Sequence, residues 1–390
     1  MSRMQVNISS LDQKLEKLKC KKNSSTEEYF INMGPQHPST HGVLRLILKL
    51  DGEIVKEVVP VLGYIHRGIE KIAEHQSYLQ MGHLTDRMDY LSSMMNNWAV
   101  AKTCEQAKGI EVNDRIETIR TIMAELERIQ SHQLWWGVFG MDMGAFTPFL
   151  YGFRDREMIT DILEETAGAR LTMNYIIPGG LMFDIHPNFV KKVKDFITYF
   201  KPIISEYENL ISGNIIIQER LRNIGTLSGA DALAFGASGP TLRGSGVPYD
   251  LRKNAPYGKY SQVDFNISVG STGDCWDRYW VRLEEMRQSL SIIEQLIDNI
   301  PEGPFQQLKP GPLSKLKLPE GRFYSEVETA RGILGCTIVS TKKAQPHRAH
   351  FRTPNFNNLW VLQKIAPGGK LGDLVSMVSS LDIVVPDIDR

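Results

Sequence analysis

The segment from residue 115 to about 139 constrains the fold more than any other stretch. Ile116, Ile119, Ile122, Met123, Leu126 and Ile129 recur at spacings of three and four, the period of one helical stripe. Asn113 or Asp114 is placed to cap this helix, because a short polar side chain there can accept an orphaned backbone N–H. Residues 137–145 (GVFGMDMGA) follow as a glycine-rich breaker. Around this helix the spacing predicts strands first, then many helices, then strands. Residues 29–33 and 43–50 read as a strand pair, and the second of these alternates as a half-buried strand does. Helical segments are expected from residue 63 to about 80, from 90 to 108, from Thr147–Pro148 through Thr166, from Pro187 to about 210, and from about Asp277 to Ile300. Pro148 suits a first helical position. Pro and Gly cluster over 301–321, and short strand-like pieces such as 333–341 finish the chain. The expected class is α+β, a central helical bundle with small N- and C-terminal β-rich parts. It divides into an extension at 1–27, a β region at 28–62, a helical core at 63–300 and a β-rich region at 301–390. The extension is polar and Lys-rich, with an amphipathic piece at 11–18, and reads as a partner-binding arm.

Charge and cysteine content exclude several classes. Lys plus Arg equals Asp plus Glu at 45 each, so no strong field steers the chain toward nucleic acid or an anionic membrane. There is no apolar run long enough to span a bilayer and no signal-peptide core. The four cysteines (Cys20, Cys104, Cys275, Cys336) form no C-x-x-C pair, so neither a disulfide framework nor a zinc or iron–sulfur site is supported. Dinucleotide and NTP fingerprints are absent, as is a nucleophile elbow. His66, Glu70 and Glu74 share a helical spacing, yet no histidine has a Glu three residues before it, which excludes a di-iron bundle.

Residues 34–42 (GPQHPSTHG) have the look of a site. His37 and His41 are four apart, but Gly34, Pro35, Pro38 and Gly42 forbid a helix, leaving a stiff turn able to present an imidazole into a cavity. Asp142 lies between methionines in the glycine-rich stretch. Beside His41 its carboxylate would raise the imidazole's pKa and hold it as a proton donor. Tyr90 lies in an Asp86–Tyr90 charge cluster (DRMDY) at a helix start.

Six ordered blocks then point one way: 34–45 (GPQHPSTHGVLR), 63–71 (GYIHRGIEK), 86–90 (DRMDY), 147–157 (TPFLYGFRDRE), 241–253 (TLRGSGVPYDLRK) and 273–289 (GDCWDRYWVRLEEMRQS), with the terminus SLDIVVPDIDR at 380–390. Over about residues 29–390 the chain resembles the D-subunit family of respiratory complex I, the proton-translocating NADH:quinone oxidoreductase. That family is similar in fold to the large subunit of [NiFe] hydrogenases. The hydrogenase metal ligands are two Cys-x-x-Cys pairs, which this chain lacks, so the metal's place is expected to be a cavity and no metal ligand is assigned.

The resemblance implies a quinone headgroup bound between this chain and a small iron–sulfur (B-type) partner that holds the [4Fe–4S] cluster. It puts His41 and Tyr90 at the two quinone carbonyls, with Asp142 as the carboxylate partner of His41. His37 stands nearby, and Arg67 and Arg87 lie beside the partner's cluster. It also implies a C-type neighbour, a membrane-arm H-type subunit at the quinone-entry mouth, and a peripheral position on the cytoplasmic face of the inner membrane. Three departures from the family bear on the quinone and the donor. Thr172 stands where many members have a histidine, and Ile177 where many have an arginine; the lost donor and charge point to a lower cluster potential and so to menaquinone. The stretch 301–326 is short, as in relatives that take electrons from ferredoxin or other donors. A scaffold that kept the fold without the chemistry is the remaining alternative.

Overall fold

The computed structural model describes residues 28–36, 42–308 and 316–390. His37 and His41, and the arm at 1–27, lie outside the described residues. The N-terminal strands form an antiparallel meander, β1 (Glu28–Met33), β2 (Arg45–Asp51) and β3 (Ile54–Val61), in the order β1-β2-β3. Alternation explains β2. Leu46, Leu48 and Leu50 are fully buried, while Arg45, Lys49 and Asp51 stay half in solvent. The expected strand pair is thus a three-stranded sheet.

Among the described residues six helices run longer than ten residues. They are α1 (Ser93–Lys108), α2 (Asp114–Asp142), α3 (Thr147–Ala167), α4 (Phe189–Tyr207), α5 (Cys275–Ile297) and α6 (Leu371–Leu381). Helix α2 is the axis, packed by α3 and α5 along its length and by α6 near its end. Its cap is Asn113, whose Oδ1 accepts the Ile116 N–H at 2.9 Å. Pro148 occupies the first turn of α3 as expected.

The glycine-rich stretch does not break α2 where the sequence suggested. The helix continues through Gly137 and Gly140 to Asp142, because these glycines are where α3 comes closest. A Cβ on Gly140 would sit 2.7 Å from Pro148 Cβ, and one on Gly137 would lie 3.1 Å from Phe149 Cα. From the other side, a Cβ on Gly152 of α3 would lie 2.8 Å from the Gln133 carbonyl oxygen. Small residues here serve packing.

A second correction concerns the helix expected from 63 to about 80. Only Ile69–Ala73 is helical, and turns lead to a short helix at Gly82–Thr85. Tertiary bonds override local propensity in this stretch. Tyr78 is buried with its hydroxyl on Ser340 Oγ at 3.1 Å. Glu70 accepts from Arg348 at 2.7 Å and lies 2.9 Å from His350.

A two-residue ladder between β4 (Ile176–Ile177) and β5 (Gly180–Leu181) interrupts the helices as Pro178 suggested. The C-terminal sheet is β6 (Gly321–Thr329), β7 (Gly332–Ser340) and β8 (Arg348–Arg352), again antiparallel, with α1 packed across β6 and β7. Beyond β8 the chain turns helical instead of ending on strands, with Pro354–Trp360, Leu362–Ile365, α6 and Val385–Asp389. This terminal segment closes the fold on its start. The Asp389 carboxylate accepts the Gly63 and Ile65 N–H groups at 2.9 and 3.0 Å, and Val55 N–H bonds to Gly369 O at 2.9 Å.

The close approach of α2 and α3 gives a stability test. Gly152→Ala is expected to destabilise by about 1–3 kcal/mol, because the clash is with a helix carbonyl that cannot move cheaply. That loss outweighs the ~1 kcal/mol that alanine adds in a helix interior. Thermal unfolding of the purified protein measures the sign.

Candidate functional site

Where the stretch before β2, the turn before α1, α2 and the chain terminus meet, they leave a cavity of about 310 Å³. Its apolar wall comes from Leu134, Trp135 and Val138 of α2 and from the run Ile383 to Pro386. Its polar groups are Tyr90, Arg331 and Asp382, and Gly42 and Val43 close one side. Helix α2 supplies a wall because residues 134, 135 and 138 share one face at its C-terminal half. One turn beyond Val138 lies Asp142, half-buried, whose Oδ2 accepts the Ser379 hydroxyl at 2.6 Å.

Tyr90 is carried by an ordered turn just before α1. Asp89 Oδ1 accepts the Leu91 N–H at 3.1 Å, and Asn96 Nδ2 donates to the Thr85 and Asp89 carbonyls at 3.0 and 3.2 Å. Burial pushes the Tyr90 phenol above its ordinary pKa, with Arg331 opposing. The phenol therefore keeps its proton at neutral pH and is a donor.

Arg331 is the hub behind it. It sits on the two-residue connection between β6 and β7, and a Cβ on the following Gly332 would lie 2.4 Å from Ser238 Oγ. That tight turn drives the guanidinium inward. Its Nη1 donates to Asp89 Oδ2 at 3.0 Å and to Ser131 Oγ at 2.9 Å, and its Nη2 donates to Asp382 Oδ1 at 3.0 Å. Its Nε reaches the Asp382 carbonyl at 3.1 Å. The two carboxylates hold Arg331 above its ordinary pKa against the burial that lowers it. Burial raises Asp89, and Arg331 counters that shift.

A second arginine stands behind Asp382. Arg282 Nε lies 3.7 Å from Asp382 Oδ2, and its guanidinium sits 4.4 Å over the Trp135 ring. Burial lowers Arg282 to about 10, which leaves it charged at pH 7. Below the wall, burial raises the Asp387 carboxyl to about 7. The cavity thus combines an apolar wall with a phenol able to donate and fixed charge behind it.

Of the residues singled out from sequence, Tyr90 lines the cavity and Asp142 lies one helical turn past its wall. Arg67 and Arg87 come together, with Arg67 Nη2 donating to the Arg87 carbonyl at 2.6 Å. They are exposed and do not line the cavity. His66 and Glu70 do not build a metal face, for His66 Nδ1 meets the Asp389 carbonyl and Glu70 meets Arg348. Among the described residues no group of three or more His, Cys, Asp or Glu is arranged to hold a metal ion. Sequence reasoning missed Arg331, Asp382 and Trp135. Asp382 lies within the quoted terminal string, whereas Arg331, on a hairpin tip, carries no local signal.

Losing Arg331 would leave the buried Asp89 carboxylate without its arginine and Asp382 with only the more distant Arg282. Arg331→Gln is expected to cost roughly 3–5 kcal/mol at pH 8, and less at pH 6. The sign follows from protonation. A carboxyl raised in the folded state stays neutral further up the pH scale, so the loss shrinks as pH falls. Thermal unfolding at the two pH values measures it.

Comparison with known proteins places this chain in a family. The sequence pattern described as "Respiratory-chain NADH dehydrogenase, 49 Kd subunit" matches residues 142–315 and 311–390. A Bacteroides thetaiotaomicron protein, named as the C/D subunit of NADH-quinone oxidoreductase, is 51% identical over 364 residues, 93% of this chain and 68% of that protein. A Bacillus anthracis protein, named as the D subunit of NADH-quinone oxidoreductase, is 46% identical over 365 residues, 93% of this chain and 99% of that protein. A Phocaeicola vulgatus protein, again named as a C/D subunit, is 50% identical over 364 residues, 93% of this chain and 70% of that protein. The fold class and the ordered motif blocks agree with these matches, and the chain belongs to the respiratory-chain NADH dehydrogenase 49 kDa subunit family.

Proposed function

We propose that this chain is the quinone-site subunit of an NADH:quinone oxidoreductase and that the cavity at Tyr90 receives the quinone headgroup. The observation that carries this reading is one cavity, walled by apolar side chains, into which a phenol held in its protonated form projects. Reducing a quinone takes two electrons and two protons, one proton at each carbonyl oxygen. Tyr90 donates at one oxygen. His41 donates at the other and Asp142 is its carboxylate partner; Gly42, the next residue after His41, lines the same cavity. His37 stands beside them in the same loop. Each donor later regains its proton from water, while Arg331 behind Tyr90 stabilises the negative charge that builds on the ring before protonation.

The electrons come from a [4Fe–4S] cluster held by a B-type partner chain, with Arg67 and Arg87 facing that partner. The fused C/D relatives support a C-type neighbour, and an H-type membrane protein at the cavity mouth completes the set. No helix among the described residues is long and apolar enough to cross a membrane. The reading puts the chain on the cytoplasmic face of the inner membrane, attached through those partners. Proton translocation belongs to the assembled complex, where charge left on Asp142 after His41 gives up its proton is the trigger. Thr172 and Ile177 favour menaquinone. The short 301–326 segment favours a second reading in which ferredoxin or another donor replaces NADH.

Tyr90→Phe removes the proton donor and keeps the ring. In membranes carrying the assembled complex, quinone reductase activity is expected to fall by about 100-fold, the scale of general acid catalysis. Assembly on native gels should be unchanged. Full activity in this variant would favour a scaffold role instead. Comparing NADH with reduced ferredoxin as donor separates the two donor readings.

A further inference from the structure

Tyr90 is followed at once by the first turn of α1, and that turn is capped in an unusual way. Ser92 stands in the cap position but makes no side-chain cap bond. The first turn of α1 carries no acidic residue of its own. The cap comes from across the core. Glu127 of α2 accepts the Met94 N–H at 3.1 Å, the Met95 N–H at 3.2 Å and the Ser93 hydroxyl at 2.7 Å. A carboxylate that satisfies orphaned N–H groups and meets the positive end of the helix dipole is a strong clamp.

Ser93 extends the clamp. Its hydroxyl oxygen accepts the Met173 N–H at 3.2 Å and lies 3.3 Å from the Leu171 carbonyl, so the loop after α3 is tied to the same carboxylate. Glu127 is fully buried, and among the described residues no arginine, lysine or histidine forms an ion pair with it. The neighbouring carboxylates Asp89, Glu125 and Glu285 each have an arginine.

Resting on the quinone reading above, we propose that Glu127 is a positioning residue for Tyr90, holding the phenol through the first turn of α1 and coupling its placement to a proton on the Glu127 carboxyl. Tyr90 then sits between two anchors. Asp89, pinned by Arg331, fixes the chain before it, and Glu127 fixes the helix three residues after it. The charge on Glu127 sets the grip. Burial pushes its carboxyl up to about 7; the hydrogen bonds from Ser93, Met94 and Met95 oppose this and the Asp89 charge adds to it. The groups facing it are those donors on α1, the Asp89 carboxylate on the preceding turn, and Leu171 to Met173 of the loop, which bring no charge. The anion, dominant above pH 7, grips the N–H groups. The neutral acid, dominant below it, grips them less.

Two variants and two readouts test this in the assembled complex. Glu127→Gln keeps the shape and fixes the neutral grip. Its quinone reductase kcat/KM at pH 8 is expected to fall by about tenfold, since displacements approaching 1 Å cost up to about 100-fold. The activity ratio between pH 8 and pH 6 should flatten compared with the wild type. Ser93→Ala removes one donor to the anion and should move the acid limb of the wild-type profile to higher pH. Hydrogen exchange of the 91–96 peptide, corrected for intrinsic rates, should show protection that rises from pH 6 to pH 8 in the wild type and stays level in Glu127→Gln. A wild-type pH profile and unchanged exchange in both variants would overturn the proposal. Tyr90→Phe separates this from a failure of the quinone reading. If that variant keeps full activity the site assignment fails, while the exchange measurement still decides whether Glu127 clamps the helix.

Discussion

The buried triad Asp89–Arg331–Asp382 is the interaction on which the functional end of this molecule depends. It joins a turn before α1, a hairpin tip of the C-terminal sheet and the segment after α6, which local structure would leave unconnected. A guanidinium suits this role because its planar fork can serve two carboxylates and a carbonyl at once. Such a group adds little net stability over a hydrophobic replacement, yet breaking it is costly because the charges left behind stay buried. The triad therefore acts chiefly as a register. It permits only arrangements in which Tyr90 and the terminal segment face the same space.

The triad ends a longer seam of charge through the helical core. Along α2, Glu125, Arg128 and His132 line one face; His132 meets Glu285 and Glu125 meets Ser289, both on α5, and Arg243 in turn donates to Glu285. Glu125 accepts from Arg252 at 3.1 Å, Tyr260 at 2.6 Å and Ser289 at 2.6 Å. Burial lowers His132, so its imidazole is neutral, and Nε2 donates to Glu285 at 3.0 Å. A bundle whose interior is charged needs nearly every group paired, and that demand couples helices far apart in the chain. Close packing does the rest. Gly137, Gly140 and Gly152 let α2 and α3 approach to where a methyl group would clash.

How much can be read from the chain depends on the range of the interaction. The stripe from Ile116 to Ile129, the Asn113 cap, Pro148 in the first turn of α3 and the alternation of β2 are local, and each appears where its period or its cap chemistry puts it. The glycines at 137 and 140 mislead because a glycine that breaks a helix and one that admits a neighbour look alike in one dimension. The stretch after residue 68 reads wrongly as one helix because Glu70 and Tyr78 answer to partners more than 250 residues away. Tyr90, which lines the cavity, and Asp142, one turn past its wall, are singled out in sequence by the family resemblance, since a charge cluster and a glycine frame alone fit a core tyrosine and a solvated acid equally well. Arg331 is not, since an arginine after Thr329 and Ala330 looks like any solvated turn until the hairpin tip is found buried.

By itself the sequence determined the helices and strands whose hydrophobic period is self-contained, and it carried enough ordered motif blocks to determine the family. The cavity was decided only by tertiary structure. Its walls come from α2 and the terminal segment, its phenol from a turn before α1 and its cation from a β-hairpin. The physical reason is that a charge can be buried only beside a partner that satisfies it, and here Arg331 and Asp89 lie 242 residues apart.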